Sequence, residues 1–203
     1  MVDHNALQHK KLFLFDLDGT LYLGDRLFDG VCELLSLIRA RGGQYRFLTN
    51  NSSRSVGAYV QKLTRLGVAA EESDFLTSVD ALTYYLREHG GEDKRYYVCG
   101  TESMKSQLRA AGFAIAEGRA DADALLMGFD TELTFQKLED ACILLGQGVP
   151  YIATNPDWVC PTSYGFVPDC GSVCEMLYRA TSRRPIVIGK PEPLMPQLAM
   201  LEA

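Results

Sequence analysis

The sequence predicts an α/β protein organised on a parallel sheet, and three features support that expectation. The run "LFLFD", Leu12 to Asp16, is almost continuously apolar over the length of one strand, as in strands buried on both faces. Apolar residues then recur at helical spacing at Val31, Leu34, Leu35 and Ile38, and Gly42-Gly43 closes that helix. A second strand, "QYRFLT", leads into a further amphipathic helix carried by Val56, Tyr59, Val60, Leu63 and Leu66. Strand–helix–strand–helix order implies parallel strands joined by right-handed crossovers. Both strands run into polar clusters, "DLDGT" and "TNNSS", at their carboxyl ends, where open α/β sheets bind ligands.

The middle of the chain alternates in the same way. Strands are expected at "YYVCG", "ALLMGFD" and "PYIAT", and helices at "ESMKSQLRAAG", "TFQKLEDACILLGQG" and "SVCEMLYRAT". No internal repeat, low-complexity tract or Pro/Gly-rich linker interrupts the pattern. About 140 residues separate Asn51 from Lys190, far beyond an ordinary loop, so an inserted domain is expected there. The expected division is residues 1–78 for the first part of a core, 79–184 for the insertion, and 185–203 for an incomplete return to the core.

Composition narrows the function classes. The 203 residues are 47% hydrophobic and 23% charged, ordinary values for a globular protein. A formal charge of −6 argues against a general grip on nucleic acid, which needs clustered Lys and Arg. No apolar stretch approaches the ~18 residues of a membrane span. The apolar run near the start stops at Asp16, unlike a secretory signal, so no membrane partner and a cytoplasmic location are expected. Cys32, Cys99, Cys142, Cys160, Cys170 and Cys174 match no common zinc spacing, and the histidines are His4, His9 and His89. Reduced structural thiols are the expectation. His89, beside Gly90-Gly91 at a helix end, is expected to have no chemical role.

Asp16 and Asp18 are the first candidate site. Residues two apart on an extended strand share a face, so the two carboxylates converge while Leu17 packs the other way. Gly19 permits a sharp turn, and Thr20 can hold it by local hydrogen bonds. Such a pair suits a hard cation such as Mg²⁺, an acid and a base of separated pKa, or a carboxylate nucleophile toward phosphorus. These uses are compatible. An EF-hand is excluded, because it wants Gly sixth and Glu twelfth, where this chain has Leu21 and Leu27. Taken alone, the pair also fits a solvated turn. In "TNNSSR", Thr49 and Asn50 offer neutral donors, and the loop N–H groups face the next helix start, a ready anion site. In "IGKPEP", Lys190 is a compact cation. Together these are the parts phosphoryl transfer needs.

"DLDGTLYLGD", "TNNSSRS" and "GKPEP" resemble, in order, the first three motifs of the haloacid dehalogenase-like phosphatases. The branch is the type-II-capped one that includes p-nitrophenyl phosphatase-like and sugar-phosphate phosphatase-like proteins. "GFD", "ATNPDWVCP" and "VPDCGS" are similar to that branch's cap. The resemblance implies a Rossmann-like parallel core with an inserted α/β cap, and a Mg²⁺-dependent phosphatase acting on a small phosphorylated metabolite through an aspartyl-phosphate. It implies Asp16 as nucleophile and metal ligand. Asp18 would be acid then base, with its backbone carbonyl on the metal. Thr49 would bind phosphoryl oxygens, Asn50 and Asn51 would line the site, and Lys190 would neutralise charge. Asn155 and Asp157 are weaker candidates for substrate contact, which an Asn-Pro turn explains equally well.

One departure stands out. The family's fourth motif, a Gly-Asp followed by a further Asp, has no counterpart, since Glu192 and Glu202 are the acids after Lys190. The expectation is therefore a shortened version of a longer phosphatase. Its first strand would keep an unpaired edge, and it would show little or no hydrolysis by itself. Two other readings stay open: a phosphometabolite-binding module without turnover, and an assembly partner whose missing strands come from elsewhere. A homo-oligomer also stays open. A receiver-type signalling domain fits less well, because it needs no Asp two residues past its nucleophile and carries no insertion.

Overall fold

The computed structural model describes residues 9–201, so His4 and Glu202 lie outside the described residues. Two parallel sheets organise it. The first has the order β1-β4-β5, with β1 Leu12–Phe15, β4 Gln44–Thr49 and β5 Phe75–Thr77, all parallel. The helices α1 Val31–Ala40 and α2 Val56–Arg65 make the crossovers. Ser55 starts α2 by accepting a hydrogen bond from the Ala58 N–H. A short hairpin, β2 Tyr22–Leu23 and β3 Arg26–Leu27, follows the Asp16–Thr20 turn. Leu17, Tyr22, Phe47, Tyr59 and Leu63 fill the core on one side of this sheet. Among the described residues, β1 pairs only with β4.

The second sheet contains β6 Arg95–Cys99, β7 Ala114–Ile115, β8 Ala124–Met127, β9 Tyr151–Ala153 and β12 Ile186–Val187, in the order β12-β9-β8-β6-β7 and parallel throughout. The helices α4 Glu102–Ala110, α5 Phe135–Gly146 and α6 Cys170–Thr181 lie where helical periodicity placed them. A hairpin of β10 Val159–Thr162 and β11 Gly165–Pro168 projects from this unit. Its Trp158, Tyr164 and Phe166 are exposed.

The helices α3 Ser78–Glu88 and α7 Leu194–Leu201 join the two sheets. One buried cluster takes Leu48 and Leu76 from the first sheet, Leu82 and Leu86 from α3, Val98, Leu126 and Ile152 from the second, and Met195 and Leu198 from α7. Thr77 and Asp80 form a reciprocal capping box that starts α3 where the chain leaves the first sheet. The return expected at residue 185 needs a correction. Ile186 and Val187 pair with Ile152 and Ala153, and the Ile188 and Gly189 N–H groups continue that ladder onto Ala153 and Thr154 carbonyls. The strand therefore extends the second sheet. Lys190 and α7, which packs against β1, β4 and β5, reach back to the first.

Within the second unit, Asp140 is a buried carboxylate on α5. It accepts hydrogen bonds from Tyr97 Oη at 2.8 Å, Arg119 Nη1 at 2.8 Å and Gln136 Nε2 at 3.2 Å. Desolvation pushes its pKa up, but Tyr97, Arg119 and Gln136 together hold it below its ordinary value of 3.8. Asp140→Ala leaves Tyr97 unpaired and is expected to cost about 2–3 kcal/mol in urea unfolding at neutral pH. The folded carboxyl has the lower pKa, so its contribution is full above 3.8 and fades as pH falls through the folded value. The gap between variant and parent should narrow below that pH.

Candidate active site

Asp16 and Asp18 leave the end of β1 through a tight turn. The Gly19 N–H donates to the Tyr22 carbonyl at 2.8 Å, with Gly19 at φ 82°, a conformation that favours glycine. Leu17 is fully buried between them, so the two carboxylates face the opposite way. Asp16 Oδ1 accepts from Lys190 Nζ at 2.5 Å, and its Oδ2 from Thr20 Oγ1 at 3.2 Å. Lys190 Nζ also donates to the Leu48 carbonyl at 3.0 Å, which fixes the ammonium over the end of β4.

Asp18 has a different cation. Lys62 Nζ on α2 lies 3.6 Å from Asp18 Oδ1 and 3.7 Å from the centre of the Tyr22 ring, and Tyr22 Oη donates to Asp18 Oδ2 at 3.3 Å. Burial lowers the Lys62 pKa and Asp18 partly restores it. Burial, followed by the Asp18 charge, raises the Tyr22 pKa well above the usual phenol range, so Tyr22 remains an O–H donor. Each carboxylate therefore has its own ammonium partner, which offsets the repulsion between two nearby like charges.

Asn50 ties the site together. Its amide NH₂ donates to Asp157 Oδ2 and to the Lys190 carbonyl, both at 2.9 Å, and its oxygen accepts from the Lys190 N–H at 2.9 Å. Gly189 makes this approach possible, because a Cβ there would lie 2.6 Å from Asn50 Oδ1. Asn51 Oδ1 is occupied within its own loop, accepting from Ser53 N–H and Oγ. Asn155 Nδ2 donates to Asp157 and Asp169, each at 3.1 Å. Asp169 starts α6 by accepting from the Cys170 N–H, and burial raises its pKa.

A cavity of about 450 Å³ is lined by Asp16, Asp18, Thr49, Asn50, Asn51, Asp157 and Lys190. Asn155, the eighth residue singled out by sequence, lies fully buried behind Asp157 and does not line it. The structure thus brings together side chains as distant in sequence as Asp16 and Lys190. Lys62 stands outside the motifs, whereas Tyr22 lies within "DLDGTLYLGD" and Asp169 within "VPDCGS", neither singled out there as a site residue. The available signal for Lys62 was a lysine three residues past Tyr59 and next to Leu63, on the apolar stripe of a helix. Burial pushes the Cys99 thiol to about 12 and that of Cys160, at the rim, to about 11, away from the thiolate a nucleophile needs.

The family model for haloacid dehalogenase-like hydrolases matches residues 13–114, half of the chain, and spans both polar strand ends. The chain belongs to the haloacid dehalogenase-like hydrolases. Among curated relatives, the 5'-nucleotidase YutF of Bacillus subtilis is 33% identical over 190 residues, covering 94% of this chain and 73% of the relative. A solved 4-nitrophenylphosphatase from Thermotoga maritima superposes with TM-score 0.92 at 36% identity, over 98% of this chain and 76% of that one. A glycerol phosphate phosphatase from Mycobacterium tuberculosis, solved in complex with magnesium, gives TM-score 0.88 at 30% identity, over 97% and 59%. These similarities put the chain on the phosphatase branch of the family, as a phosphoric monoester hydrolase. No helix among its described residues is long and apolar enough to cross a membrane.

Proposed function

We propose that this haloacid dehalogenase-like chain hydrolyses a small phosphate monoester with Mg²⁺ through a phosphorylated Asp16. The observation that supports it most is the separate pairing of Asp16 with Lys190 and of Asp18 with Lys62. It gives one carboxylate set to attack and another set to exchange protons.

Asp16 is only half-buried and opens onto the cavity. Its carboxylate attacks phosphorus, forming the Asp16 O–P bond as the ester P–O bond breaks. Asp18, entering the step as the carboxylic acid, gives the departing alkoxide its proton, and the carboxylate so formed takes one from the water that cleaves the acyl phosphate, which restores the acid. Lys190 faces the charge on the transferring oxygens, and Thr49 stands at the end of the neighbouring strand as a neutral donor. Asn50 acts as a positioning residue, since its amide is bound to Lys190 and Asp157. We assign Asn155 the same kind of role toward Asp157. Residues 79–184 would act as the cap over the leaving group.

The site suits Mg²⁺ in kind. Asp16 and Asp18 are hard oxygen donors, and Mg²⁺ is commonly held by one or two carboxylates together with substrate phosphate and water. Among the described residues no cluster of three or more His, Cys, Asp or Glu forms around them. When bound, the ion would offset phosphate charge beside Asp16. A second reading, phosphate-ester binding with little turnover, draws on that two-carboxylate donor set. The test is phosphate release from p-nitrophenyl phosphate with Mg²⁺, and its loss on chelation. Release that chelation leaves unchanged would overturn the metal assignment. Thermal stabilisation by the ester with no release would select the binding reading.

A further inference from the structure

A second cavity, of about 440 Å³, opens beside the first and shares Asp18, Asn51, Cys160 and Pro161 with it. It lies on the Asp18 side, where an alcohol leaves if the phosphoryl group is held at Asp16. Its walls are α2, the loop before it, and the turn of the β10–β11 hairpin, with exposed Tyr164 at the mouth. Its charges are uneven. Arg54, Lys62 and Arg65 line it against Asp18 and Asp25. Tyr59, Lys62 and Arg65 recur every third residue, so one face of α2 looks into it.

Lys62 is paired with Asp18, whereas Arg54 and Arg65 make no ion pair among the described residues. Both arginines are exposed, and the Arg54 charge is felt at Tyr22 on β2, at Tyr59 and Lys62 on α2, and at Cys160 on β10. Asp25 is the acid left to balance them. Two unpaired arginines in one recess are unexpected in a chain of net charge −6. Holding like charges together is unfavourable without an anion between them, and a guanidinium fork matches carboxylate and phosphate oxygens.

We infer that this cavity is a leaving-group subsite for a second anion, and that the preferred substrate is a phosphate monoester whose alcohol half carries a carboxylate or another phosphate. Arg54 and Arg65 clasp that anion, while Lys62 stays with Asp18. The inference uses the proposed hydrolysis only to orient the ester. A small ester spanning both cavities would place its phosphate by Asp16 and Lys190 and its far anion between the arginines.

A matched three-carbon series tests it: propyl phosphate, 3-(phosphonooxy)propanoate and propane-1,3-diyl bisphosphate. Calorimetric binding to the Asp16→Asn protein, which removes turnover, is expected to favour an anionic ester over propyl phosphate by at least about 10-fold at low salt. Whichever of the two binds tighter identifies the anion. The advantage should shrink with added salt, drop below about 3-fold in the Arg54→Gln/Arg65→Gln protein, and return in Arg54→Lys/Arg65→Lys. Equal binding of propyl phosphate, or a preference that survives the double Gln substitution, would overturn the inference. Failure of the unsubstituted chain to release phosphate from any of the three would count against hydrolysis, while the binding series would still decide the subsite.

Discussion

Asp16→Asn should reduce phosphate release by about 10³-fold or more, because it removes the atom that forms the new bond to phosphorus. Asn keeps the size of the side chain and is a far weaker nucleophile. The effect on folding should be small. The lost ion pair joins two partly exposed groups, and such pairs contribute about 1 kcal/mol or less. The Asn oxygen can still accept from Lys190 Nζ and Thr20 Oγ1. The check is steady-state hydrolysis of p-nitrophenyl phosphate beside a thermal melt of the same preparations. An active, well-folded Asp16→Asn protein would refute the covalent route.

Asp18→Asn should act differently at the two halves of the reaction. An acid–base group contributes about 10²–10⁴-fold, most when the leaving alkoxide is a poor one. p-Nitrophenolate departs readily without a proton, so the variant should still phosphorylate Asp16 from that substrate. It then lacks the base that activates water, and the acyl phosphate should accumulate. Mass spectrometry of the intact protein after mixing should show one added phosphoryl group, which hydroxylamine removes. With an alkyl phosphate both steps fail, and no adduct should form. The variant also leaves Lys62 facing a neutral amide. Lys62 is already desolvated and its pKa already shifted down by burial, so some loss of thermal stability is expected as well. Equal loss on both substrates with no adduct would place Asp18 outside the proton-transfer step.

The parts of the site that could be read in the sequence are those governed by strand direction. A buried parallel strand must end at the carboxyl edge of its sheet, so Asp16 and Thr49 were placed by the apolar runs before them. Lys190 followed from its motif. Lys62 and Tyr22 were not legible in this way. A lysine on a helix usually reaches solvent along its stem, and only the path of the turn after Asp16 shows that this one ends over an aromatic ring. Asn50 reads as a site-lining amide until both of its polar atoms prove to be bound to Lys190 and Asp157. The assignment of β12 also depended on tertiary structure. A two-residue apolar strand carries no periodicity that distinguishes one parallel sheet from another. The β10–β11 hairpin alternates too weakly to announce itself, with its aromatic residues on the outside.

The ion pair between Asp16 and Lys190 links residues 174 positions apart. Contacts of such long sequence separation form late, because the intervening chain must be ordered before they gain anything. At ribosomal rates of about 5–20 residues per second, roughly 10–35 s pass between the synthesis of the two. Through that interval the newborn first sheet carries Asp16 without its ammonium partner. On the proposed mechanism, the charge pairing that the reaction uses is therefore absent until the chain through Lys190 has been made and β12 has paired with β9.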